Sequence, residues 1–142
     1  MKKYLFLFIF GLITNFTMAL PGHNTFLKTA SDPVKKIVKE IAKSNIYEFT
    51  PTTGNEVSES QQNKRYEALL KTASVEELTN LATKHKNAVV RLYAFQALVL
   101  KLKDIPKEII DKFKNDATMV YTLRGDIADK TPVNKISVTF LY

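Results

Sequence analysis

The sequence predicts a mainly α-helical domain. It reads as a short helical repeat or bundle of five to six helices, ending in either a small C-terminal β-hairpin or a loose tail. Three observations carry this. Apolar residues recur at helical spacing in at least four stretches between residues 34 and 113. Helix-start chemistry stands in front of those stretches: Asp32-Pro33, Ser74 with Glu77 three residues on, and Asn87. The stretch Ala88 to Lys103 is apolar over most of its circumference, the pattern of a helix enclosed by neighbours. With no cysteine in the chain, these helices must cohere by packing alone.

Residues 1–19 precede the domain. Met1-Lys2-Lys3 is positive, Tyr4 to Phe16 is apolar apart from Thr14 and Asn15, and Thr17-Met18-Ala19 places small residues before a cleavage point. That is the layout of a secretory signal peptide, and the apolar run is short for a permanent membrane span. The expectation is export to the periplasm or the medium, with residues 20–142 as a single domain. Loss of two lysines with that segment lowers the formal charge from +7 to +5.

Residues 20–31 read as an exposed leader. Asp32 caps the first helix, with Val34, Ile37, Val38 and Ile41 inside and Lys35, Lys36, Lys39 and Lys43 outside. Residues 47–62 hold Pro51, Gly54 and a run of Ser, Thr, Glu and Gln, and read as a long polar linker. A second helix spans about 63–72. Ser74 opens a third, which buries Leu78, Leu81 and Ala82 and ends near His85. Lys86-Asn87 makes the turn into the fourth, whose small residues Ala94 and Ala97 admit a close neighbour, and whose Lys101 and Lys103 meet solvent. Ile109, Ile110 and Phe113 mark a fifth helix.

The tail supports two readings. Ala117 to Leu123 has the apolar content of a sixth helix. Ile136, Val138, Phe140 and Tyr142 alternate with Ser137, Thr139 and Leu141 at a strand period, with Met119 to Leu123 the only nearby partner.

The stretch 74–104 resembles a HEAT-type repeat. The residues that carry the likeness are Asn87-Ala88-Val89-Val90-Arg91, followed by Ala94 and Ala97-Leu98; Ile105 to about residue 124 looks like a degenerate second unit. The resemblance implies a scaffold that binds other proteins and no shared chemistry.

Catalytic and metal chemistry find little support. No cysteine is present, and the two histidines are His23 in the leader and His85 at a helix end, where the helix dipole gives it a structural role. No His/Asp/Glu group has metal-ligand spacing, and Gly totals four, with no phosphate loop. The expectation is therefore no catalytic residue, no cofactor and no metal. Of the 21 basic residues only Arg65, Arg91 and Arg124 are arginine, which argues against nucleic-acid binding. Arg124-Gly125-Asp126 spells an integrin-recognition tripeptide, but turn chemistry accounts for Gly125 and Asp126. The sequence thus points to an exported, non-catalytic protein–protein interaction or scaffold module with an unidentified protein partner. Its contact surface is expected near Arg91 and Tyr93 or in the 47–62 segment. The alternative is a lysine-rich module held on anionic membrane or polysaccharide surfaces by weak electrostatics.

Overall fold

The computed structural model of the chain describes residues 30–49, 52–53 and 58–142. The expected export segment, residues 1–19, lies outside the described residues. The end of the leader does not. Ala30 is buried, and the Ser31 N–H donates to Glu77 Oε1 at 2.7 Å. Ser31, not Asp32, is the N-cap of the first helix, α1 (Asp32–Ser44), whose Pro33 sits in the first turn where no N–H is needed. Val34, Val38 and Ile41 face the core. Asn45 ends α1 in the left-handed region at φ 52°, one of the few non-glycine residues suited to it.

Ile46–Glu48 forms a strand, β1, and Thr52–Thr53 pairs antiparallel with Ser58–Glu59 as a two-strand ribbon, β2 and β3. Residues 47–62 are therefore not a free linker at either end. Tyr47 is buried, and Gln62 is buried with its amide Nε2 donating to the Ile46 carbonyl at 2.9 Å. Among the described residues there, Ser60 and Gln62 serve as a cap and a buried hydrogen-bond partner. Ser60 Oγ accepts from the Gln62 and Asn63 N–H groups to start α2 (Gln61–Thr72).

The central helices follow the sequence reading closely. Ser74 and Glu77 make a complete capping box at the head of α3 (Val75–Lys84). Burial opposes the Glu77 charge, but hydrogen bonds from the Ser31 and Ser74 N–H groups outweigh it and hold its pKa down at about 2. Asn87 Oδ1 accepts the Val90 N–H at the head of α4 (Ala88–Lys101). Helix α4 is the centre of the molecule, with Val89, Val90, Leu92, Tyr93, Ala94, Phe95, Ala97 and Leu98 all buried. It packs most heavily on α3, while α1 packs on α2. Lys101, expected at the solvent edge, donates from Nζ to the Ala73 carbonyl at 2.9 Å and so closes the end of α2.

Ala97 is fully enclosed. Ala97→Leu is expected to overpack the centre and cost about 1–3 kcal/mol, whereas Lys103→Ala should change stability by less than about 0.5 kcal/mol. Urea unfolding of the two variants measures both; a neutral Ala97→Leu would mean that α4 is not tightly enclosed.

After α5 (Lys107–Lys114) the chain departs from the expected sixth helix. Met119–Arg124 is a strand, β4, and Ile127–Pro132 its antiparallel partner, β5. In β4 Val120 and Thr122 are buried while Met119 and Tyr121 are exposed, a period of two that suits a half-buried sheet. Gly125, at φ 58°, opens the two-residue loop, the place where such hairpins call for glycine. A small hairpin is thus present, but its second strand lies ahead of the expected one. Val133–Ser137 is a helix, α6, continued by a 3₁₀ turn over Val138–Phe140. Strand β1 runs parallel to β4, giving a three-strand sheet in the order β1-β4-β5. The described residues are mainly helical, with six α-helices around this sheet and the short β2–β3 ribbon.

Candidate interaction site

The structure turns both expected contact residues inward. Tyr93 is 2% exposed. Its ring lies between Tyr47, at 4.9 Å, and Tyr66, at 5.4 Å, and its hydroxyl accepts the Glu48 N–H at 3.0 Å. Burial pushes the pKa of all three phenols up, Tyr66 to about 12, so they stay protonated at neutral pH.

Arg91 lies at the α3–α4 turn. Its Nη1 donates to the carbonyls of His85 (3.1 Å) and Lys86 (3.2 Å), and its Nη2 to Asp116 Oδ2 at 2.7 Å. Both partners of the ion pair are largely shielded, so the charges serve the fold. Burial opposes the Asp116 charge, but bonds from Thr118 and Arg91 keep its pKa below the usual carboxylate value.

His85 is structural by a different route from the one its position suggests. Burial lowers its pKa, and Arg91 and Lys86 add to the effect. The neutral imidazole then accepts the Asn87 N–H at Nδ1, 3.1 Å away. The helix dipole, which favours a protonated ring, loses to desolvation here.

The surface that remains open is the outward face of the sheet. Registered neighbours share a face, so Ile46, Tyr121 and Lys130 form one row across it and Glu48, Leu123 and Ala128 form the next. Met119 and Tyr121 are each 55% exposed, unusual for large apolar side chains two apart on one strand. Between the end of α1 and this face lies a shallow groove of about 320 Å³, bounded by Ser44, Asn45, Ile46, Tyr121, Leu123 and Ala128. The inward row pairs Tyr47 with Thr122, whose hydroxyl lies 3.1 Å from that of Thr131.

Both edges of the sheet carry devices that oppose a further strand. On β1, Gln62 Nε2 covers the Ile46 carbonyl and the Tyr93 hydroxyl takes the Glu48 N–H. On β5, Asp129 Oδ1 takes the Lys130 N–H at 2.7 Å, and Pro132 has no N–H to offer. Such devices disfavour edge-to-edge pairing, so contact with another molecule falls to the face. At the hairpin tip Arg124 lies over the Phe49 ring, 4.3 Å from its centroid, so the Arg-Gly-Asp run is the loop of the hairpin.

Sequence reasoning missed this surface. The signal for it was the alternation Met119, Tyr121, Leu123 against Val120, Thr122, hidden by an apolar content that suits a helix equally well. Among the described residues, no group of His, Asp and Glu is placed to hold a metal ion, and no helix is long and apolar enough to cross a membrane. No protein-family model matches the chain, and no curated protein matches it either.

Proposed function

We propose that this chain is an exported, non-catalytic protein-interaction module, and that it binds a polypeptide through the outward face of the β1–β4–β5 sheet. One observation carries the reading: Met119 and Tyr121, over half exposed, stand beside the half-buried Ile46 and Leu123 on a face bordered by the end of α1. Exposed apolar residues gathered on one face, rather than scattered singly, mark contact surfaces. The helices supply the frame. Arg91, bonded to its own turn and to Asp116, supports reading α3 and α4 as a HEAT-like pair that holds the sheet rigidly. The Lys-rich start, apolar run and Thr17-Met18-Ala19 support export.

The test is capture of a partner from the native envelope fraction by the purified protein. Tyr121→Asp is expected to abolish capture. Leu100→Asp, at a 65% exposed apolar position on α4, should leave it intact. Capture that survives Tyr121→Asp, or falls equally with Leu100→Asp, would reject the sheet face as the contact surface.

A further inference from the structure

The groove beside Tyr121 is lined mainly by apolar surface, and lysines neighbour several of its lining residues. Lys43 immediately precedes the lining residue Ser44, and it is exposed at the end of α1. Lys86 is brought in from the α3–α4 turn. Asn87, the next residue, donates from Nδ2 to Asn45 Oδ1 at 2.8 Å, and Asn45 lines the groove. Lys130 approaches from β5, with its Nζ 4.8 Å from the centroid of the Tyr121 ring. Three exposed lysines from three separate elements thus lie next to residues that border one apolar groove, Lys130 against the lining ring of Tyr121, and Lys43 and Lys86 through their chain neighbours. Glu48, registered with Leu123, is the carboxylate of the next row, and Asp129, registered with Thr122, belongs to the opposite face. Asp129 accepts its own strand's Lys130 N–H, and Glu48 accepts a hydrogen bond from the Ser60 hydroxyl. No carboxylate lines the groove itself.

We infer that the groove accepts an acidic peptide segment: an apolar side chain against Tyr121, Ile46 and Leu123, flanked by carboxylates that meet Lys43, Lys86 and Lys130. The inference rests on the sheet face being the contact surface and adds the chemistry of what binds there. Charge complementarity around an apolar centre sets partner choice and register more than raw affinity. An anionic bilayer fits less well. A concave groove suits a protruding side chain, whereas a flat lipid surface would bring the exposed Asp126 of the hairpin loop against like charge. The ridge of exposed lysines Lys36, Lys39 and Lys43, at i, i+3 and i+7 along α1, extends the positive surface away from the groove mouth. It offers further carboxylates on the same segment a place to lie.

The experiment uses a fluorescein-labelled peptide carrying Glu-Leu-Glu-Leu between Gly-Ser flanks, and its counterpart with Gln in place of Glu. Fluorescence anisotropy reads binding to the purified protein, with thermal melts showing each variant folded. The Glu peptide should bind more tightly than the Gln peptide. Lys43→Glu and Lys86→Glu should each weaken it about three- to tenfold, while Lys112→Glu, an exposed change of the same charge on α5, should not. Raising salt from about 0.05 M toward 1 M, where the screening length shrinks to about 3 Å, should remove the difference between the peptides. Equal binding of both peptides, with loss in Tyr121→Asp, overturns the acidic preference and leaves the sheet face standing. No binding of either peptide at millimolar concentration overturns the inference, and partner capture by wild type against Tyr121→Asp then judges the sheet face separately. Binding to phosphatidylglycerol vesicles but to neither peptide, lost in Lys43→Glu, assigns the lysines to a membrane surface instead.

Discussion

Truncation of the chain after Pro132 is expected to abolish the cooperative unfolding transition. The ten residues removed carry a strand-like alternation in the sequence, but their helical face is in the core. Val133 and Ile136 are fully buried in α6, and Phe140 packs against the same core one turn further on, with its ring 6.1 Å from both Tyr47 and Phe95. Each large apolar side chain taken from such a site removes about 1.5–3 kcal/mol, so the three together remove an amount comparable with the whole stability of a domain this size, about 5–15 kcal/mol. The truncation also strips backbone anchors. The Val133 N–H donates to the Thr118 carbonyl at 2.9 Å and the Asn134 N–H to the Asp116 carbonyl at 2.8 Å, which ties the end of the hairpin to its start. Circular dichroism melting of the truncated chain measures the effect. A normal, cooperative melt within a few degrees of the full chain would show that α6 is dispensable. Because the truncation is drastic, Ile136→Ala serves as the graded form, with an expected cost of about 2–5 kcal/mol.

Phe95→Ala should be the most destabilising of the single aromatic substitutions, at about 3–5 kcal/mol. Phe95 is fully buried on α4, and its ring is stacked on that of Phe113 from α5, with centroids 4.1 Å apart and planes 12° from parallel. This contact is one of the points where α5 is fastened to the centre, and α5 in turn packs on α6. Truncation leaves a cavity that α4 cannot close, because α4 is held by neighbours on nearly every side. Phe113→Ala should behave similarly. The double variant should cost less than the sum of the two singles, because both remove the same ring pair. Urea unfolding of the cycle gives the coupling, and strict additivity would mean that the two rings do not interact. Neither substitution touches the outward sheet face, so a peptide-binding defect in a folded Phe95 variant would have to act through the frame.

Local signals were enough for the helices whose ends carry their own hydrogen-bond chemistry. Ser74 and Glu77 form their box between residues three apart, and Asn87 caps α4 from the next turn, so no distant part of the chain is needed to make either start. The enclosure of α4 over most of its length was legible too, because a helix with Val89, Val90, Leu92, Phe95 and Leu98 spread around its circumference has little face to give to water before its last turn. These elements, and a mainly helical fold, follow from the sequence by itself. Where two periods fitted equally well, only the tertiary structure decided. Residues 133–142 are β-branched and alternate, yet Val133, Ile136, Ser137 and Phe140 also stand at i, i+3, i+4 and i+7. Packing against α4 and α5 rewards that second pattern and overrides local β preference. Met119–Arg124 went the other way, because Ile46–Glu48, more than seventy residues earlier, offers it a parallel partner that no local pattern announces. The same distance hides the interaction surface. Arg91 and Tyr93 are polar groups on a helix and could have faced a partner, but Asp116 and the Glu48 N–H, supplied from far along the chain, draw them inside. The groove beside Tyr121, with Lys130 against that ring, exists only because the end of α1 and the hairpin are folded against one another.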